Sequence, residues 1–202
     1  MKKILLIITI IYSSIANSSP CKDSGSDIFN SADGSGFVFY VYSKEKDVAF
    51  QLPGKTISFP NEKNKNQFYI GKTLYEYIQV DSSEFETQNS GALEILKNHA
   101  SSEQKYLKST PSPLKEIIDM GENTKEAAGN QPEFVFYLWK AKDPKNNEKS
   151  NQYILTTVIS GKIFMLSAIS DIKQNDITEH SFNVFTSSFQ IVSEISKCPK
   201  TN

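Results

Sequence analysis

Three apolar runs in the second half of the chain restrict its fold more than any other feature. Phe134-Val135-Phe136-Tyr137-Leu138-Trp139 is the first, Tyr153 to Ile159 the second and Ile163 to Ile169 the third. Ser160-Gly161 alone separates the core of the second run from the third, and a two-residue link ending in Gly between β-branched runs is a hairpin signal. Asp143-Pro144-Lys145-Asn146-Asn147 supplies the loop before them. The three runs are therefore expected as an antiparallel meander. An antiparallel sheet with one wet face alternates apolar and polar residues. These strands are apolar on both sides, so both faces of the sheet require cover, by helices on one side and a helix or loop layer on the other.

The remaining elements follow from period and punctuation. Phe37 to Tyr42, Val48 to Leu52 and Thr56 to Phe59 read as strands, with Pro53-Gly54 as a turn and Pro60 as a stop. Phe68 to Val80 reads as one long or broken strand. From Ser90 to Lys108 the period becomes helical, with Leu93, Leu96, Ala100 and Leu107 on one stripe and Ile95 and His99 beside it; Ser101 with Gln104 suggests a second helix start inside it. Leu114 to Asp119 reads as a strand or a helix, with strand favoured. Asp176 with Glu179 opens a last helix carrying Ile177, Val184 and Phe185, and Phe189 to Val192 returns as a strand.

The N-terminus reads as an address. Met1-Lys2-Lys3 precedes an apolar stretch, Ile4 to Ile11, and a small-residue exit through Ser14 and Ala16, the pattern of a secretory signal cleaved after Ala16. That stretch falls short of the ~20 residues a spanning helix needs. The competing reading is an uncleaved anchor. The chain is then expected as a signal peptide (1–16), a flexible arm (17–36, rich in Ser, Asp, Gly and Asn) and one α+β domain (37–198), with no transmembrane segment in the mature part. It belongs in the periplasm or the extracellular space. Cys21 and Cys198, one near each end of the mature chain, are expected as a disulfide in that oxidising compartment, where closing so long a loop stabilises by about 3–5 kcal/mol. Lipidation of Cys21 fits poorly, because Ser18 and Pro20 replace the Leu and the small residue of a lipoprotein signal.

Charge narrows the partners. All 22 cationic residues are Lys, and the net charge is −1. Base-edge and bidentate phosphate recognition rely on Arg, so nucleic acid is not expected as a partner.

The order Ala49-Phe50-Gln51-Leu52-Pro53-Gly54-Lys55, the strand Tyr75-Glu76-Tyr77, one helical block, an aromatic strand, the hairpin Gly161-Lys162-Ile163-Phe164, then a helix and Ser187-Ser188-Phe189-Gln190 resembles bacterial proteins of the PsbP-like fold. The resemblance runs over residues 37 to 193. It implies an antiparallel sheet sandwiched between helices (an α/β/α arrangement) and a non-catalytic accessory or protein-binding role, and it supplies no catalytic residue set.

The search for chemistry yields few candidates. Gly54-Lys55-Thr56 and Gly71-Lys72-Thr73 lack the Gly a phosphate loop needs five residues earlier, where Ala49 and Asn66 stand. His99 and His180, the two histidines, lie on or beside apolar stripes, and no H-x-x-x-H or C-x-x-C spacing suggests a metal. No cofactor is expected. Asp81-Ser82-Ser83-Glu84 and Asp23 to Asp27 are acidic turns without a calcium-loop pattern. Three functional classes remain. The first is an accessory module binding another envelope or secreted protein. The second is a small-molecule or lipid binder whose pocket is lined by Tyr137, Trp139 and Tyr153. The third is a hydrolase centred on His99 or His180, which requires a Ser or Asp within reach of the imidazole in an open cleft.

Overall fold

A computed structural model describes residues 25–42, 47–60, 66–111, 116–125, 134–142, 151–170 and 175–192. Among the described residues, eleven strands form two antiparallel sheets, accompanied by two α-helices. The α+β architecture with a helix-flanked antiparallel sheet expected from the sequence is present. The signal segment, Cys21 and Cys198 lie outside the described residues.

The larger sheet has the order β4-β5-β6-β10-β9-β8-β7. Its strands are β4 (Ile57–Ser58), β5 (Gln67–Ile70), β6 (Thr73–Asp81), β7 (Glu116–Lys125), β8 (Phe134–Lys142), β9 (Asn151–Ile159) and β10 (Lys162–Ser170). The meander is present as β8-β9-β10. Its hairpin turns through Ser160 and Gly161, both at positive φ (48° and 73°), the twist that a two-residue link demands. The 68–80 run is broken at Gly71-Lys72, which reverses the chain between β5 and β6.

The smaller sheet has the order β1-β2-β3-β11, from β1 (Gly25–Asn30), β2 (Gly36–Tyr42), β3 (Asp47–Pro53) and β11 (Gln190–Val192). β1 corrects the sequence reading, which placed residues 25–30 in a flexible arm. Ile28 and Phe29 there pair with Phe39 and Val38 of β2. Composition hid the strand because its polar residues dominate. Gly36 is required where β2 meets β3, since a Cβ there would lie 2.2 Å from the Leu52 carbonyl oxygen.

Helix α1 (Ala92–Ser109) is one continuous helix, not two. It buries Ile95, Leu96, His99 and Ala100. Ser101 and Gln104 sit mid-helix. The helix ends where Pro111 holds Thr110 extended (ψ 164°). Helix α2 is Asn175–Ser188. The Gln51 N–H donates to Ser188 Oγ (2.8 Å), and that hydroxyl donates to the Val184 carbonyl (2.6 Å), tying the end of α2 to β3.

Pleating divides the core. Phe134, Phe136, Tyr153, Leu155, Phe164, Leu166, Tyr75 and Tyr77 face one way, toward Phe39 and Phe50 of the small sheet and Phe182 and Phe185 of α2. Tyr137, Trp139, Ala141, Ile154, Ile163 and Met165 face the other way, toward α1. Both faces are covered, as the double-sided apolar strands require. The cover on the first face includes a second sheet as well as a helix.

Candidate functional site

The three aromatic candidates for a pocket are dispersed and buried. Tyr137, Trp139 and Tyr153 are 5%, 1% and 0% exposed. Tyr137 and Trp139 point toward α1, and Tyr153 points to the opposite face. They line no common surface, because adjacent positions on a strand face opposite ways and the pairing of Lys140 with Tyr153 puts that tyrosine on the even-numbered face of β8. The Tyr153 hydroxyl donates to Glu179 Oε1 of α2 (3.2 Å). The Tyr137 hydroxyl is pushed up to about 12 by burial and by the neighbouring Asp119 carboxylate.

His99 is sealed under α1 at 1% exposure, its ring edge-on to Phe85 with centroids 4.9 Å apart. Neither ring nitrogen has a hydrogen-bond partner among the described residues. Glu103 Oε1 approaches Nε2 to 3.9 Å. Burial pulls the imidazole down to about 4, so it is neutral at ordinary pH. A group so enclosed reaches no substrate.

His180 is exposed and lines a cleft of about 250 Å³ between the β1–β2 turn, the end of β3 and α2. Ser31, Ser35, Gln51 and His180 are its polar lining residues, and Phe37, Leu52, Pro53 and Val184 the apolar ones. The turn is organised by Asp33. Its Oδ1 accepts from the Ser31 hydroxyl, the Ser35 hydroxyl (2.7 Å) and the Ser35 N–H (3.0 Å). Those three donors, led by the Ser31 hydroxyl, pull the Asp33 carboxyl down to about 2.

This cleft gathers Ser, Asp and His, but in an order unlike a nucleophilic triad. There the Ser proton passes to His, and His is held by Asp. Here both hydroxyls donate straight to the carboxylate, so neither is poised to be deprotonated by His180. The sequence missed the cleft because its serines lie in the supposed arm. The available signal was Ser31-Ala32-Asp33-Gly34-Ser35-Gly36, a turn in which Asp bonds the backbone two residues on. The two Gly-Lys-Thr triplets fall at strand ends and turns. No group of three metal-ligating side chains exists among the described residues, and no described helix is long and apolar enough to cross a membrane.

No protein-family model matches the chain, and no curated protein does. Among solved structures it is similar to the solution structure of cyanobacterial PsbP (CyanoP) from Synechocystis sp. PCC 6803, at 8% identity over 88% of this chain and 99% of that one, with a TM-score of 0.48.

Proposed function

We propose that this chain is an exported, non-catalytic accessory module that binds another envelope or secreted protein. The observation that carries the reading is β7. Among the described residues this ten-residue strand bonds to β8 and ends the larger sheet, with residues 119–124 exposed and Met120 36% accessible. A long outer strand of this kind is a template for an extended segment of a partner, whose main chain adds to the sheet while its side chains supply selectivity. A bulge between Asp119 and Gly121, with the Gly121 N–H held by Asp119 Oδ1 (2.7 Å), limits promiscuous pairing and favours a matched partner. The engaged state of the reactive side chains supports the same reading. Ser31 and Ser35 are committed to Asp33, and His99 is enclosed. Export rests on the charged, apolar and small-residue pattern of residues 1–16.

The test is photo-crosslinking in the native host from a benzophenone amino acid placed at Met120, at Thr124 or, as a control, at Lys72 in the β5–β6 turn. One envelope or secreted protein is expected to couple from Met120 and Thr124 and not from Lys72. Equal yields at all three sites, or coupling only to cytosolic chains, would sink the reading. The cleft beside α2 favours a second reading, small-molecule binding, at a place distinct from Tyr137, Trp139 and Tyr153.

A further inference from the structure

We propose that the cleft between the β1–β2 turn and α2 is a binding site for an organic ammonium group, a cationic amine carried on a short hydrocarbon stem. The inference is independent of strand addition at β7. It begins with where the protons are. A serine hydroxyl has one proton to donate and two lone pairs to accept with. Ser31 and Ser35 both spend that proton on Asp33 Oδ1, which leaves their lone pairs for the cleft. Gln51, in the same lining, adds an amide oxygen. The serine end of the lining therefore faces the cleft with acceptors only. An ammonium group is the complementary ligand, with three donors and no acceptor.

Charge agrees with the proton count. Asp33 is fully exposed, is bonded to both lining hydroxyls and stays ionised throughout the pH range of a cell envelope. An anionic ligand would meet that charge unfavourably. The ammonium gains from it through hydroxyls already polarised toward the carboxylate. The rest of the lining explains the stem. Pro53 and Val184, both half-buried, present apolar surface to methylene groups, backed by the core residues Phe37 and Leu52. At about 250 Å³ the cleft is just below the ~300–1,000 Å³ of drug-sized sites, which suits a fragment of a few carbons. Two sources offer this chemistry: a free small amine, and a lysine side chain of another protein.

The test is an amide-shift NMR titration of the purified protein with n-butylammonium chloride, at matched ionic strength, against n-butanol as the neutral isostere. Shifts are expected at Ser35, Gly36, Gln51 and His180, with binding at least about tenfold weaker for butanol, the size of one charge-assisted hydrogen bond. Asp33→Asn should lose the preference for the ammonium. Because that change also loosens the turn, Val184→Phe provides a second route, filling the cleft from α2 and abolishing the shifts while the remaining spectrum stays native. Equal response to butanol, shifts scattered over the surface, or binding retained in Val184→Phe would overturn the proposal. Nα-acetyl-lysine methylamide separates the sources. Binding as tight as butylammonium upholds the site as a lysine receptor, and exclusion upholds it as a free-amine site.

Discussion

The larger sheet is covered in two different ways, and the difference separates a rigid face from a compliant one. The face toward the small sheet and α2 packs thirteen aromatic rings among twenty-one buried residues. Phe50 alone meets Phe39, Tyr77, Phe185 and Phe189 at centroid distances of 5.1, 6.4, 4.4 and 6.1 Å. Two of these pairs are stacked and two tilted, and ring pairs at such distances stabilise beyond their buried area. The face toward α1 has nine buried residues, two of them aromatic. It also holds every buried side-chain polar atom that lacks a partner among the described residues: both His99 nitrogens, Trp139 Nε1 and Ser167 Oγ. An unpaired buried polar group costs about 1–3 kcal/mol. The aromatic face is thus expected to carry the stability and the α1 face to open first.

The largest expected effect tests the rigid side. Phe50→Ala should destabilise by about 3–5 kcal/mol, because a ring at the centre of four others leaves a cavity that cannot collapse. A urea-unfolding difference below about 1 kcal/mol would show that the aromatic face is looser than its packing suggests.

Acid tests the compliant side. The His99 imidazole is held at about 4 against 6.5 in the unfolded chain. Between those values the unfolded chain binds the proton more readily, so this contribution is complete above about pH 6.5 and is lost as pH falls toward 4. The full loss approaches about 3 kcal/mol. Glu103, raised by burial, takes up its proton earlier in the folded state and offsets part of that loss. His99→Leu isolates the histidine and should flatten the urea midpoint between pH 7 and 4.5. An unchanged slope would assign the acid sensitivity elsewhere. Hydrogen exchange should rise in α1 before β9 or β10 as the pH is lowered.

The sequence was most legible where apolar runs were long. The β8-β9-β10 meander, the need to cover both its faces, and the two helical stretches followed from period and turn chemistry, although the first stretch was read with a second helix start that α1 does not have. The second sheet was less visible, because β1 spells Gly-Ser-Asp-Ile-Phe-Asn and only its pairing with Phe39 and Val38 makes it a strand. The sequence reading ended this strand at Asp119; the bulge that lets it continue has Gly121 at φ 96°, which no local apolar pattern marks. The candidate site was the least legible part. Trp139 and Tyr153 looked available for binding because aromatic residues serve core and pocket equally well, and the sheet register that buries them is a tertiary property. Ser31 and Ser35 meet His180 across about 150 positions of chain, which no local pattern encodes.

A smaller effect tests how the two sheets are joined. Lys125, at the end of β7, donates through Nζ to the carbonyls of Ser187 and Phe189 (2.8 Å to the latter), closing the C-terminal end of α2 from the larger sheet. A cation there satisfies carbonyls that the helix leaves open and complements its dipole. Lys125→Met keeps the stem and removes both bonds, and should cost about 1–3 kcal/mol. The loss should also appear as faster exchange at Phe189 and in β11. A neutral result would mean that α2 is held by its rings alone.

The smallest effect has the unusual sign. Ser167 lies on the α1-facing side of β10, opposite Ile154, which in turn faces Trp139 on β8. Its hydroxyl is 2% exposed as a residue and has no partner among the described residues. Ser167→Ala removes an unpaired polar atom and almost no volume. On the compliant face it should therefore be neutral or stabilising, by up to about 1 kcal/mol, where truncation on the aromatic face is costly. Thermal unfolding gives the sign directly. Destabilisation beyond about 1 kcal/mol would mean that the hydroxyl is bonded, through a buried water or an uncharted residue, and that α1 sits on a satisfied polar network. The contrast between the two faces would then lie in ring packing alone, and the acid response of His99 would become the sole lever for opening α1.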